Sequence, residues 1–307
     1  MFTRQIRLAG ILLLILFMGH TGAYSATEDF SNVQIQTEKV ADNVFMLTGA
    51  GGNIGISTGK DCVFMIDASY APLAGRIKAA IATVSNKPIQ YIVNTHWHQD
   101  HVGGNEYFAK AGATVVAHDN VRKRVSTEQF VKMLNKTVPP LPESALPVIT
   151  FSRSVTFYLN GNEIYIFNIA RAHTDGDAIV HFKKSNVIHM GDIYFNGTYP
   201  FIDLSAGGSI NGMIRAVKNI LLLCDRDTKV MPGHGHLSNK AELEEYLKML
   251  VTVRDRISHE IKAGKPLDAV IASQPTRDLD TVWGKGFMKP EQFVKIVYES
   301  LESEKSR

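Results

Sequence analysis

Three imidazoles and a carboxylate fall within six consecutive residues, His96-Trp97-His98-Gln99-Asp100-His101. Neutral imidazole and carboxylate are borderline ligands that suit zinc, and a catalytic zinc site keeps three protein ligands and one open position. Upstream, Ile89–Val93 reads as a buried strand, and downstream the chain runs into Gly103-Gly104-Asn105. A strand that stops in His-x-His-x-Asp-His cannot bury those groups without partners, because unpaired polar groups are costly to desolvate. In an extended segment His96 and His98 point to the same side, while Asp100 and His101 turn with the chain. Four potential ligands at this spacing point to a metal site rather than to a polar loop that happens to be rich in histidine.

With these residues the chain resembles the metallo-β-lactamase superfamily, and the remaining motifs of that family can be followed in order. Asp67 ends the apolar run Val63-Phe64-Met65-Ile66. A lone histidine, His173, stands in Ala172-His173-Thr174-Asp175-Gly176-Asp177. Asp192 closes His189-Met190-Gly191-Asp192, and His234 stands in Met231-Pro232-Gly233-His234-Gly235. The resemblance therefore spans Asp67 to His234. It implies an α/β protein with an αβ/βα four-layer sandwich: two sheets back to back, helices outside, and metals at one edge between the halves.

The resemblance also implies a division of ligands. His96, His98 and His173 take one metal, Asp100, His101 and His234 take the other, and Asp192 bridges them. Two ions about 3.5–4 Å apart can share a hydroxide and clamp the attacking and leaving oxygens. The function implied is that of a dinuclear zinc hydrolase whose bridging hydroxide attacks the carbonyl of a small activated acyl substrate: a lactone, thioester, ester or β-lactam. Asp100 then serves as ligand and as the group that orients the nucleophile and relays its proton. The expected cofactor is two Zn2+, with iron or manganese accepting the same donors. Asp67 is expected to orient the metal loop by hydrogen bonding without touching a metal. One subclass of true β-lactamases has a cysteine where Asp192 stands, so Asp192 favours lactonases, thioester hydrolases and phosphodiesterases of the superfamily.

Around these residues, other polar side chains are further candidates. Asp175 and Asp177 follow His173 directly, and His118 stands where the strand Thr114–Ala117 emerges. Asn53, Tyr194, Asn196 and Tyr199 are candidates for lining the pocket, since functional residues concentrate on loops at one edge of such folds. The segment Val138–Pro147 is either a lid or a stiff connector.

The elements that must position these groups come as strands first, then alternating strands and helices, and the pattern occurs twice. Val44–Thr48 and Ile54–Ser57 flank the glycine-rich turn Gly49–Asn53, a hairpin signature. Cys62–Ile66 follows as a buried strand and Leu73–Val84 as an amphipathic helix. Ile89–Val93 and Thr114–Ala117 are strands separated by the metal loop and a helix near Asn105–Ala111. The β pattern resumes at Val155–Leu159, Glu163–Ile169, Ala178–Phe182 and Asn186–Met190. Ser209 is placed to cap the helix Asn211–Leu223. Val230–Met231 delivers His234, Lys240–Ala263 reads as a long helix, and Pro290–Leu301 as another.

Composition agrees with an exported globular enzyme. Residues 1–26 carry Arg4 and Arg7, an apolar run from Ile11 to Met18, and then small residues ending in Ser25-Ala26. This is the layout of a signal peptide cleaved near Ser25-Ala26, since the apolar run is short for a bilayer span. An uncleaved anchor is the alternative; cleavage leaves no stable membrane anchor and a periplasmic or secreted protein. Without the two arginines, 31 basic residues face 30 acidic ones. A near-neutral chain gives no electrostatic footprint for nucleic acid. Residues 27–307 form one hydrolase domain, of which 265–307 is a C-terminal helical extension that packs as a cap, contacts substrate or forms a dimer interface. Cys62 and Cys224 are the two cysteines; export permits a disulfide, while apolar surroundings suit buried thiols. A phosphodiesterase with the same metal pair should show a basic groove or an added clamping domain. A mononuclear-iron sulfur dioxygenase needs only the first site, and a non-catalytic binder should have lost ligands.

Overall fold

A computed structural model describes residues 29–305. The proposed leader lies outside these residues. Among the described residues no helix is long and apolar enough to cross a membrane.

Two sheets carry the chain. The first has seven strands in the spatial order Gln36–Ala41, Val44–Thr48, Ile54–Ser57, Val63–Ile66, Ile89–Asn94, Thr114–His118 and Ile149–Phe151. Its first four strands are antiparallel neighbours, and from Val63–Ile66 onward the pairing is parallel. The second sheet runs Ser154–Leu159, Asn162–Asn168, Ala178–Phe182, Val187–His189, Lys229–Met231 and Ser238–Asn239. It repeats the plan: an antiparallel meander, then one parallel step from Val187–His189 to Lys229–Met231.

Alternation along the strands decides the layers, because successive side chains of a strand face opposite sides of the sheet. In Val63–Ile66, Phe64 and Ile66 join a core with Val93, Val116, Ile164, Ile166, Val180 and Phe182, which is the layer between the two sheets. Val63 and Met65 face the other way and pack with Ile77, Ile81 and Phe108 of the helices Ala74–Ala82 and Asn105–Lys110. Both faces are covered, so the strand reads as continuously apolar. The second sheet is covered in the same manner by Ile210–Leu221, Lys240–Lys262 and Pro290–Lys305. The result is the four-layer αβ/βα sandwich.

Elements with strong periodicity fall where the sequence puts them. Val44–Thr48 and Ile54–Ser57 form the expected hairpin. Ser209 caps Ile210–Leu221 by accepting a 2.9 Å bond from Gly212 N–H. The structure adds short or polar elements that carry no clear periodicity in the sequence: the helix Asp119–Val125, the hairpin Gln129–Val131/Lys136–Val138, the edge strands Gln36–Ala41 and Ile149–Phe151, and the helices Leu267–Ala272 and Asp280–Trp283. The stretch Val138–Pro147 is a docked connector: Leu141 N–H bonds Val125 C=O at 2.8 Å and buried Asn105 Nδ2 bonds Ala145 C=O at 3.2 Å. Cys62 and Cys224 are both buried free thiols.

Candidate metal centre

Strand Ile89–Asn94 ends at the edge of the first sheet, and the chain passes through His96 and His98 into the one-turn helix Gln99–Val102, which carries Asp100 and His101. The second half contributes from its own strand ends. His173 follows Asn162–Asn168, Asp192 follows Val187–His189, and His234 follows Lys229–Met231. All seven residues meet at this seam. His96, His98, His173 and Asp192 form one group with candidate ligand atoms within 4.8 Å of one another, and Asp100, His101 and His234 form a second.

Hydrogen bonds on the far side of four of the five rings fix which nitrogen faces the cluster. His101 Nδ1 donates to Asp67 Oδ2 at 2.8 Å. His173 Nδ1 donates to Phe201 C=O at 2.8 Å, and His98 Nε2 to Asp203 Oδ2 at 3.0 Å. Thr95 Oγ1–H is committed to Asp67 Oδ2 at 2.7 Å, so His96 Nδ1, 3.1 Å from that hydroxyl oxygen, is the donor there. Bare lone pairs therefore converge: His98 Nδ1 lies 3.1 Å from His96 Nε2 and 2.9 Å from His173 Nε2, with no proton left to place between them. Ligands 2.0–2.1 Å from a tetrahedral ion sit roughly 3.3 Å apart. Three facing acceptors at this separation fit a cation among them.

Asp192 stands between the two groups. Its Oδ2 lies 3.7 Å from His96 Nε2, 3.5 Å from His173 Nε2 and 3.4 Å from His234 Nε2, while Oδ1 lies 3.2 Å from His101 Nε2. Asp100 Oδ2 completes the second group, 3.3 Å from His234 Nε2 and 3.5 Å from His101 Nε2. His101 Nε2 and Asp192 Oδ1 are buried without a hydrogen bond, a cost that protein interiors rarely tolerate. A divalent cation in each group would relieve it. The charges agree. Burial raises the Asp192 carboxyl, but the His234, His101 and His96 imidazoles outweigh burial and hold it well below the usual carboxylate range. Burial pushes His173 down to about 4 and, helped by His101, holds His96 well below its ordinary value. Against burial, Asp192 and Asp100 pull His101 well above its ordinary value and His234 up to about 10. The second group thus draws positive charge, which a bound cation would supply. Asp100 and His234 are the more open candidates, with 19% and 29% of their side chains exposed, so the site opens on their side.

Asp67 makes the hydrogen bonds that the resemblance implies. It receives Thr95 N–H at 2.7 Å as well as Thr95 Oγ1–H and His101 Nδ1–H, and it adopts φ +62° to do so. Of the two acids after His173, buried Asp177 receives His173 N–H and Thr174 N–H and shapes the ligand turn; burial raises its carboxyl to about 8. Asp175 instead forms a bidentate pair with Arg124. His118 does not face the site: it caps Asp119–Val125 through Nδ1 and bonds Ser152 C=O through Nε2. Asn53 does not line a pocket either. It pins the His234 loop through Pro232 C=O at 3.0 Å and Gly235 C=O at 2.8 Å. Tyr194 and Tyr199 are fully buried, and Asn196 turns outward to His236 C=O and Glu242. Asp203 and Phe201 were missed, since no spacing links them to the ligands; the one available signal was a lone acid inside the apolar run Phe201-Ile202-Asp203-Leu204.

A metallo-beta-lactamase type 2 from Elizabethkingia meningoseptica is 22% identical over 246 residues, 77% of this chain and 92% of that protein. A hydroxyacylglutathione hydrolase from Polaromonas sp. (strain JS666 / ATCC BAA-500) is 27% identical over 172 residues, 55% of this chain and 57% of that protein. Among solved structures, a metallo-beta-lactamase from Pontibacter korlensis matches with TM-score 0.58 and 19% identity, over 71% of this chain and 99% of its own. The profile of the metallo-beta-lactamase superfamily matches residues 47–253, more than half of the sequence. With the fold, the convergent ligand atoms and that match in agreement, the chain belongs to the metallo-beta-lactamase superfamily and is a metal-dependent hydrolase.

Proposed function

We propose that this chain is an exported dinuclear zinc hydrolase acting on a small activated acyl substrate: a lactone, thioester, ester or β-lactam. The observation that carries the reading is the Asp192 carboxylate, whose two oxygens lie between His96 and His173 on one side and His101 and His234 on the other. Two divalent ions held there would supply an acidified water nucleophile and Lewis acidity for a carbonyl. The protein's own share is arrangement. Asp67, Phe201 C=O and Asp203 lock three imidazoles. Asp100, at the open side, orients the incoming water through its carboxylate.

The acyl substrate class draws on the relatives. One is named for a β-lactam and another for an acylated glutathione, and both names denote hydrolysis of an activated acyl group. Near-neutral charge outside residues 1–26 counts against a polyanionic substrate. Export, which the leader motivates, is checked by the N-terminus of the protein recovered from a periplasmic fraction: a mature chain starting near Ala26 or Thr27 is expected.

The deciding experiment is hydrolysis of a chromogenic β-lactam, a lactone and a thioester by zinc-loaded protein, with a chelated sample alongside and metal content measured. The reading expects two zinc ions per chain and metal-dependent turnover of at least one substrate with kcat/KM of roughly 10⁴ M⁻¹s⁻¹ or more. One tightly held iron, with oxygen consumption on a persulfide, would replace it with the dioxygenase chemistry. Zinc-loaded protein inert on every acyl substrate would remove the substrate class.

A further inference from the structure

One segment, residues 194–209, touches three of the seven cluster residues, His98, His173 and His234. Phe195 stacks on the His234 ring, centroids 5.0 Å apart and planes 11° from parallel, and Asn196 N–H bonds His234 C=O at 2.9 Å. Phe201 C=O receives His173 Nδ1–H, and Asp203 Oδ2 receives His98 Nε2–H. Asp203 N–H returns to His173 C=O at 3.0 Å. This segment has little regular structure of its own: among its residues only Leu204–Ala206 form a 3-10 turn. Something else must hold it.

Tyr194 and Asn196 are tied to Ser238 and Glu242; from Thr198 onward the C-terminal extension takes over. Tyr199, midway between Phe195 and Asp203, is 1% exposed. Its N–H bonds Trp283 C=O at 2.8 Å, its hydroxyl donates to Asp280 Oδ1 at 2.9 Å, and its ring stacks on Phe293 with centroids 4.6 Å apart and planes 18° from parallel. Gly286 lies so close to Thr198 that a Cβ there would come within 2.6 Å of the threonine Cβ. The far end of the segment is gripped too: Ser300 Oγ accepts Ile210 N–H at 3.0 Å, and Glu304 accepts from Asn211 Nδ2 at 2.7 Å. Every one of these extension residues lies beyond residue 253, where the superfamily match ends.

We propose that the C-terminal extension is a brace for the metal centre, and that Tyr199, clamped by Asp280, Trp283 and Phe293, is a positioning residue acting on His173 through Phe201 C=O and on His98 through Asp203. This rests on reading His98 and His173 as ligands of one ion. Neither Tyr199 nor any described residue of the extension belongs to either ligand group. They fix the two acceptors that hold those rings, and losing such partners weakens metal binding by roughly 10–100-fold. His101 is the internal control, because its acceptor Asp67 belongs to the other half of the molecule, where its carboxylate is fixed by Thr95.

The test uses the full chain labelled with 15N-histidine and loaded with zinc. Zinc affinity is read by competition with a chromophoric chelator, and solvent exchange of the ring N–H groups by NMR. Tyr199→Leu keeps apolar bulk but loses the hydroxyl and the stack. It is expected to weaken the first zinc roughly tenfold and to speed exchange at His173 Nδ1–H and His98 Nε2–H, leaving His101 Nδ1–H unchanged. Tyr199→Phe, which retains the stack, should recover most of the affinity. Phe293→Leu removes the stacking partner from the extension side and serves if Tyr199→Leu does not fold. Wild-type affinity with unchanged exchange at all three rings overturns the brace, as does equal acceleration at all three, which is general loosening. If zinc shifts no histidine signal of the unmodified protein, the ligand reading itself falls, and the brace with it.

Discussion

At the scale of single residues, the cluster separates groups that hold a cation from groups that hold the holders. Asp192→Ala removes the carboxylate shared by both groups and leaves His101 Nε2 with one fewer anionic neighbour. Metal content is expected to fall from two ions per chain to one or fewer, with turnover lost. Unchanged stoichiometry and unchanged turnover would end its bridging role. Asp203→Ala acts differently, for it deletes no ligand atom but strands the Nε2–H of His98, a side chain only 12% exposed. Zinc affinity should drop by roughly 10–100-fold while two sites remain countable at saturating metal; affinity equal to wild type would show that His98 needs no anchor. These two aspartates differ in how far the sequence gives them away. Asp192 is found because Gly-Asp after a strand completes a motif that His96–His101 had already announced. Asp203 has no such company, and its role comes from a contact across 105 residues that only the folded chain creates. Tyr199 misleads for the same reason: its position suggests a pocket wall, while its ring points into the extension.

At the scale of elements, the ligand loops are packed so closely that glycine is needed where two of them cross. Gly233 precedes His234, and a Cβ there would lie 2.1 Å from Asp192 Oδ1 and 2.6 Å from Gly191 carbonyl carbon. Gly52, in the hairpin between Val44–Thr48 and Ile54–Ser57, would place a Cβ 2.2 Å from His101 Cε1. Neither glycine has a left-handed φ, so the demand is for space and not for conformation. Gly233→Ala is therefore expected to displace the Asp192 carboxylate, weaken metal binding at least about tenfold, as loss of ligand support does, and leave the circular dichroism spectrum native. Wild-type metal affinity in a folded Gly233→Ala protein would mean that the loop yields at no cost. The hairpin was legible to the residue because apolar runs flank a glycine cluster, a local signal. Gln129–Val131 and Lys136–Val138 were not legible, because three-residue strands rich in polar side chains carry no period to detect. The C-terminal helix Pro290–Lys305 is legible as the helical run Pro290–Leu301, yet nothing local says that Phe293 meets Tyr199.

At the scale of the molecule, each candidate ion draws ligands from both halves of the sandwich. His96 and His98 come from the first sheet and His173 and Asp192 from the second; Asp100 and His101 face His234 and Asp192 in the same way. A bound pair of ions is thus a cross-link between two halves whose shared core is otherwise apolar. Ligands that bind only the folded chain stabilise it by mass action, about 4 kcal/mol per site when free metal exceeds its dissociation constant a thousandfold. At roughly 2–4 °C per kcal/mol for domains near this size, full loading should raise the melting temperature by on the order of 10 °C or more. Chelation should reverse that rise, and Asp192→Ala should lose most of it, because its carboxylate serves both sites. A melting temperature indifferent to chelator, with metal release verified by elemental analysis, would mean that the halves are held by the apolar layer alone and that the metal centre is a passenger on the fold rather than a part of its stability.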